Sequence, residues 1–100
     1  MIRYEVTLEF SESTAPALER WMRNAHIPEI LRTGCFESIH FDRAEGRFRT
    51  VYKAENQQEF NRYLVEHAKR MRDEFQHQFP SGVGISRETW EQVQEWTRVP

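Results

Sequence analysis

The N-terminal segment alternates strictly between apolar and polar residues, and this pattern constrains the fold more than any other feature of the chain. The apolar positions are Ile2, Tyr4, Val6, Leu8 and Phe10, and the polar positions are Arg3, Glu5, Thr7 and Glu9. Because successive side chains of a strand point to opposite faces, residues 2–10 predict a strand with one buried face and one polar face.

Apolar residues at spacings of three and four predict two amphipathic helices. The first begins near Pro16 and should break near Pro28, because proline lacks a backbone donor and disfavours helical geometry at the preceding residue. Proline can also open a new short helical turn, residues 28–32, which Gly34 would end. His26 would then lie beside this break. The second helix begins at Asn56, a good capping residue. Its apolar stripe consists of Phe60, Tyr63, Leu64, His67, Met71 and Phe75.

Three further strands complete the pattern. Residues 35–42 and 47–54 predict a hairpin around a glycine-containing turn, and residues 83–92 predict the last strand. Residues 89–96 fit either a continuation of that strand, with both of their tryptophans on one face, or a helix. The strand is the preferred interpretation.

The order βαββαβ is typical of the ferredoxin-like fold, an α+β sandwich. We therefore expect a four-stranded antiparallel sheet with both helices on one face. With 100 residues the chain has room for one domain, residues 1–100. Its core should span about 2–92, and 93–100 should form a C-terminal tail.

The polar face of the predicted sheet carries acids on the first strand and bases on the third, which are neighbours in this topology. The bases are Arg47, Arg49 and Lys53. Two interpretations remain open: a solvated face whose charges are satisfied, or a polar-lined chamber closed by a second copy of the sheet. Trp90 and Trp96 favour the homodimer, because exposed tryptophans near a terminus often mark a contact.

Composition argues against several partners and sites. The 14 basic and 16 acidic residues leave no excess positive charge for nucleic acid. No apolar run is long enough to span a membrane, and the N-terminus is unlike a signal peptide. Histidine and cysteine spacing predicts no metal site, and without a glycine-rich loop we expect no cofactor. The single cysteine, Cys35, fits a cytoplasmic location.

Two groups of residues carry a family resemblance. They are Trp21-Met22, His26-Ile27-Pro28-Glu29 and Thr33-Gly34-Cys35-Phe36-Glu37-Ser38 in the first half, and Tyr63-Leu64, Glu66-His67-Ala68, Arg72 and Phe79-Pro80 in the second. The chain resembles a bacterial family of about 100 residues catalogued as a domain of unknown function. The resemblance implies a relation to the dimeric α/β-barrel superfamily. That superfamily includes cofactor-free monooxygenases, polyketide cyclases, dehalogenation-associated proteins and heme-degrading enzymes.

Four residues are candidates for a ligand-binding site. His26 and His67 would act as pocket bases or ligand anchors, since histidine titrates near neutral pH. Trp21 and Tyr63 would form aromatic walls. Each also has a structural interpretation: a brace at the helix break for His26, a hydrogen-bonded core histidine for His67, and core packing for the two aromatic residues.

Two functions follow from these observations. The preferred one is a homodimeric binding or interaction protein without catalysis. The alternative, whose chemistry the resemblance implies, is a cofactor-free enzyme, monooxygenase-like or cyclase-like, acting on a small aromatic or polyketide-like molecule. The enzyme requires an enclosed cavity of roughly 300 Å³ that touches at least one of the histidines.

Overall fold

A four-stranded antiparallel sheet forms one layer of the computed structural model, which describes all 100 residues, and helices form the other. The elements are β1 (Ile2–Phe10), α1 (Ala15–Trp21), α2 (Ile27–Leu31), β2 (Ser38–Ala44), β3 (Arg47–Ala54), α3 (Gln57–Glu66), α4 (Ala68–Gln78) and β4 (Val83–Glu91). A π-helical turn, Met22–His26, connects α1 to α2. None of the helices is long and apolar enough to cross a membrane.

The strand order β2-β3-β1-β4 confirms the ferredoxin-like fold predicted from the sequence. In the register of the central pair, Tyr4 lies opposite Tyr52 and Leu8 lies opposite Phe48. All four side chains are buried beneath the helices. The strict alternation of β1 therefore has the expected consequence, a single apolar face that packs on the helical layer.

The helical layer departs from the predicted stripe at one position, Leu64. Its neighbour Tyr63 is buried, whereas Leu64 is 39% exposed. Each residue of a helix is rotated by about 100° from the one before it, so both cannot point at the sheet. The helix is also interrupted at His67, which has φ −129°, and the buried stripe resumes at Ala68 and Met71.

Pro28 does not break the first helix, contrary to expectation. The π-helical turn precedes it, and the backbone N–H of Ile27 bonds to the carbonyl of Met22, five residues earlier. This wider turn moves the preceding carbonyls away from the proline ring, so helical geometry continues through α2. His26 does lie at a discontinuity, as predicted, but that discontinuity is a π-turn. Gly34, at φ 76°, follows the end of α2.

Two predicted strand boundaries are wrong. β2 runs over Ser38–Ala44 instead of 35–42, because Cys35 and Phe36 turn into the core before the strand begins. β4 ends at Glu91 and does not continue to Trp96. It pairs only with β1, whose first residue already lies opposite Glu91. After the backbone N–H of Gln92 donates to the carbonyl of Met1, no partner backbone remains for the following residues.

Opposite charges meet on the uncovered face of the sheet, as predicted. Arg49 on β3 lies 3.7 Å from a carboxylate oxygen of Glu5 on β1 and 3.9 Å from one of Asp42 on β2. Val51 points to the same face and is fully buried among these long side chains. This face is therefore an ion-paired surface with one enclosed apolar residue.

Replacing Asn56 by alanine should destabilise the protein by about 1 kcal/mol, the typical cost of losing a helix cap. The Asn56 side chain accepts a hydrogen bond of 2.9 Å from the backbone N–H of Glu59 at the start of α3. Urea unfolding at constant protein concentration measures the change. Asn56→Ser, which retains an acceptor, should stay close to wild type. Equal stabilities of Asn56→Ala and wild type would refute the role of the cap.

Candidate functional site

A small cavity lies between the helices and the sheet, with a volume of about 40 Å³. Most of its lining is apolar and comes from every helical segment except α1 and from three of the four strands. The polar residues around it are Tyr4, His26, Tyr52, Tyr63, Arg72 and Arg87. No carboxylate lines the cavity, so its electrostatic character is set by hydroxyls, one imidazole and two guanidinium groups.

His26 is the polar residue that the fold holds most tightly. Its ring stacks on Trp21, with centroids 4.6 Å apart and planes at 20°, and meets the edge of Phe75 at 5.8 Å. The residue is only 8% exposed, and its Nδ1 atom is buried without a hydrogen-bond partner. A buried polar atom without a partner costs about 1–3 kcal/mol, so the arrangement calls for an explanation.

Burial lowers the pKa of His26 to about 4, and the negative charge of Glu29 opposes this shift only weakly. Glu29 does not contact the imidazole. Its carboxylate instead pairs with Arg32 at 2.8 Å and with Arg70 of α4 at 3.3 Å, which ties α2 to α4. His26 is therefore neutral near pH 7 and presents one N–H donor and one nitrogen acceptor.

Three tyrosines form an aromatic cluster beside the imidazole. The ring of Tyr4 lies 5.6 Å from that of Tyr52 and 6.4 Å from that of Tyr63. Burial raises the pKa of both Tyr52 and Tyr63. Their hydroxyls remain protonated at physiological pH, so they can donate or accept hydrogen bonds but carry no charge.

Arg72 on α4 and Arg87 on β4 mark the side on which the cavity meets solvent, because both are exposed whereas Tyr63 and Met71 beside them are buried. Neither arginine forms an ion pair with any carboxylate of the chain. Two free positive charges thus stand at the opening of an otherwise neutral cavity.

The structure brings together three of the four residues predicted for the site. His26 and Tyr63 line the same cavity, and Trp21 stacks behind His26 without lining it. His67 lies outside the cavity, half-buried in the break between α3 and α4, with Nδ1 3.2 Å from a guanidinium nitrogen of Arg70. Ligand binding by these four residues stays a prediction.

Sequence reasoning missed four polar residues of the cavity: Tyr4, Tyr52, Arg72 and Arg87. The two tyrosines were expected only as core residues. The inward position of Arg87 is recognisable in the sequence, because Arg87 continues the alternation of Val83 and Ile85 on the face of β4 that points towards the helices. A charged residue in that register is unusual for a buried face and could have indicated a site.

Both interruptions of the helical layer adjoin the cavity. His26 lies in the π-turn, and His67 lies in the break that follows the cavity residue Tyr63 by one helical turn. Single π-turns in helices occur frequently at functional sites.

A larger open groove, of about 910 Å³, lies between α1 and the β2–β3 turn. It touches no histidine, and two of its charged residues, Arg23 and Arg43, pair with Glu19 on its wall. Since the cavity at His26 holds only about 40 Å³, the structure lacks the enclosed, histidine-lined space that the enzyme interpretation requires. No group of three or more His, Cys, Asp and Glu side chains is arranged to hold a metal ion.

Comparison with known families and structures places this architecture among related proteins. A family model described as a domain of unknown function, DUF4286, matches residues 1–93. A candidate antibiotic biosynthesis monooxygenase from Deinococcus radiodurans superposes with a TM-score of 0.74 at 16% identity, covering 100% of both chains. A dimeric ferredoxin-like protein from an uncultured marine organism gives 0.73 at 10% identity, covering 97% of this chain and 98% of the other.

A third similar structure is the heme-degrader MhuD from Mycobacterium tuberculosis with two hemes bound. Its TM-score is 0.66 at 19% identity, covering 97% of this chain and 100% of that one. No curated protein matches the chain significantly. At these identities the similarities show the fold alone. They confirm the ferredoxin-like fold that the sequence predicted.

Proposed function

The chain belongs to the DUF4286 family, a domain of unknown function, and from this premise we propose that it is a homodimeric protein that binds a small molecule at the His26 cavity. The observation that carries the proposal is the buried imidazole, which lines the cavity while its Nδ1 atom lacks a partner. A buried nitrogen without a hydrogen bond makes the folded chain less stable. A bound ligand or a displaced helix turn can supply the missing hydrogen bond.

The proposed homodimer is supported by apolar residues that the chain itself leaves uncovered. They recur at every third position of the C-terminal end, namely Trp90, Val93, Trp96 and Val99, and all four are exposed. Trp90 lies on β4 opposite Arg3, on the face of the sheet that the helices leave uncovered. A second copy of the chain is the proposed partner, in keeping with the dimeric description of one structural neighbour.

We also propose a cytoplasmic location. The support is the lone cysteine, Cys35, which is free and buried, so the fold does not depend on an oxidising compartment. Fractionation of host cells with an antibody against the protein tests this location. Recovery in a membrane or extracellular fraction would contradict it.

Native mass spectrometry of protein purified from its own host tests the binding function. We expect a species of two chains, each of 12.1 kDa, that carries additional small-molecule mass released on denaturation. The His26→Ala variant should lose that mass. A ligand-free wild-type protein, or equal ligand content in wild type and His26→Ala, would contradict the proposal.

Two further variants sharpen this test. Tyr63→Phe removes one cavity hydroxyl with little change of shape and should reduce ligand content. His67→Ala alters the histidine that lies outside the cavity, so it should retain the ligand if the cavity alone forms the site. Loss of ligand from His67→Ala with retention in His26→Ala would move the site to the α3–α4 break.

The enzyme alternative requires the cavity at His26 to open well beyond its present volume of about 40 Å³. One specific observation favours it: His26 is uncharged near neutral pH and has a ring nitrogen without a partner, so the imidazole is in the form that can accept a proton, although its lowered pKa makes it a weak base. In this alternative the protein converts a small aromatic or polyketide-like molecule without a cofactor. Incubating the purified ligand with wild-type protein in air distinguishes the two functions. Recovery of the ligand unchanged indicates binding, whereas conversion by wild type but not by His26→Ala indicates catalysis.

A further inference from the structure

We infer that the ligand of the His26 cavity is a planar aromatic acid whose anionic group lies between Arg72 and Arg87. This inference rests on the proposed binding function and specifies the chemical class of the ligand. It follows from the charge of the cavity opening, the character of its walls and the position of the irregular helix segments.

The positive charge at the cavity opening favours an anionic ligand. Six of the chain's arginines form ion pairs with carboxylates, for example Arg62 with Glu59 at 2.7 Å and Arg32 with Glu29 at 2.8 Å. The other six arginines form none, and of these Arg72 and Arg87 come from different elements and line the same cavity. Guanidinium groups bind carboxylates with paired hydrogen bonds, and a cationic ligand would be repelled.

The side chains that line the cavity favour a ligand with an aromatic ring. Tyr4, Tyr63 and Phe75 expose ring surface to the cavity, and Met71 adds a thioether that packs well against aromatic rings. The only polar groups deeper than the arginines are uncharged, namely the tyrosine hydroxyls and the imidazole of His26. A ligand therefore needs its charge at one end and a largely apolar ring at the other.

The present volume requires the ligand to open the cavity. A volume of about 40 Å³ accommodates about one water molecule, which occupies about 30 Å³ in the liquid. The π-turn at His26 borders the cavity on the side of α1 and α2, and the break at His67 borders it on the side of α3 and α4. Displacement of these two turns would admit a ring between α4 and β4 while the sheet stays fixed.

Two probes of the same shape test the inference: naphthalene-2-carboxylate and its neutral counterpart, naphthalene-2-carboxamide. Isothermal titration calorimetry with the full chain should show the acid binding at least about tenfold more tightly, as expected for a charge-assisted hydrogen bond. Arg72→Gln and Arg87→Gln should each weaken the acid about tenfold and leave the amide unchanged. Arg20→Gln, an exposed arginine on α1 outside the cavity, is the matched control.

The outcomes distinguish failure of this inference from failure of the proposed binding function. Equal affinities for acid and amide, unaffected by either arginine variant, would overturn the inference and leave a binding cavity in place. Binding of neither probe would overturn the inference as well, whereas the proposed binding function fails only if protein purified from its host also carries no ligand. Because both arginines are exposed, urea unfolding midpoints close to wild type are expected and verify that a lost affinity is not lost folding.

Discussion

Lowering the pH from 7 to 4 should destabilise the wild-type protein by about 3 kcal/mol more than it destabilises the His26→Gln variant. Burial lowers the pKa of His26 to about 4 in the folded chain, whereas an unfolded histidine has its ordinary value of 6.5. Above pH 6.5 both states are neutral and the full stability is present. As the pH falls from 6.5 towards 4, the unfolded state takes up a proton that the folded state rejects, so stability is lost.

Urea unfolding at several pH values measures this difference, and the comparison with His26→Gln cancels the contribution of the carboxylates. His77→Gln replaces an exposed histidine on α4 and should keep the wild-type pH dependence. Parallel curves for wild type and His26→Gln would show that the imidazole is not buried as the structure places it, and the candidate site would lose its central residue.

Replacing Trp90 and Trp96 together by alanine should weaken the homodimer at least about 100-fold. The two side chains are 54% and 80% exposed in the single chain, the largest uncovered apolar groups that it has. Tryptophans at the centre of an interface typically contribute about 2 kcal/mol or more each, and 1.4 kcal/mol corresponds to a tenfold change. Sedimentation equilibrium should give twice 12.1 kDa for the wild type and 12.1 kDa for the variant.

Val65→Ser provides the control for this experiment. Val65 is as exposed as Trp96 but lies on α3, away from the C-terminal end, so its replacement should leave the mass of the assembly unchanged. A wild-type protein that stays monomeric at micromolar concentration would contradict the proposed dimer. A double tryptophan variant that remains dimeric would place the interface elsewhere.

Local patterns were sufficient to predict much of the sheet. β1 and β3 were predicted with their observed boundaries, 2–10 and 47–54, because each alternates cleanly and ends at a turn or capping residue. Boundaries that depend on tertiary structure were less accurate. β4 ends where β1 offers no further partner, and β2 begins only after Cys35 and Phe36 have entered the core. Neither limit is visible in the local sequence.

The helix at Pro28 shows why a local rule can give the wrong result. Proline predicts a break, but a π-turn followed by regular helix keeps Ile30 buried in the core. The sequence does identify the discontinuity and the histidine beside it. It does not show whether the helix ends at Pro28 or continues through a π-turn.

The candidate site was predictable only in part, for a similar reason. His26 and Tyr63 stand out as a histidine at a helix irregularity and an aromatic residue on the facing helix. Arg87 reaches the same cavity through the pairing of β4 with β1, in which it lies opposite Val6, 81 residues earlier in the chain, and no local pattern shows that pairing. His67 has the spacing of a core residue, yet the helix break leaves it outside the cavity.

Intermolecular NMR contacts of bound naphthalene-2-carboxylate test most directly whether the cavity at His26 is a ligand-binding site. We expect nuclear Overhauser effects from the naphthalene protons to the Met71 methyl and the Tyr63 ring, and a shift of the His26 ring nitrogens on saturation. Contacts confined to the open groove between α1 and the β2–β3 turn, with the His26 resonances unchanged, would contradict the account.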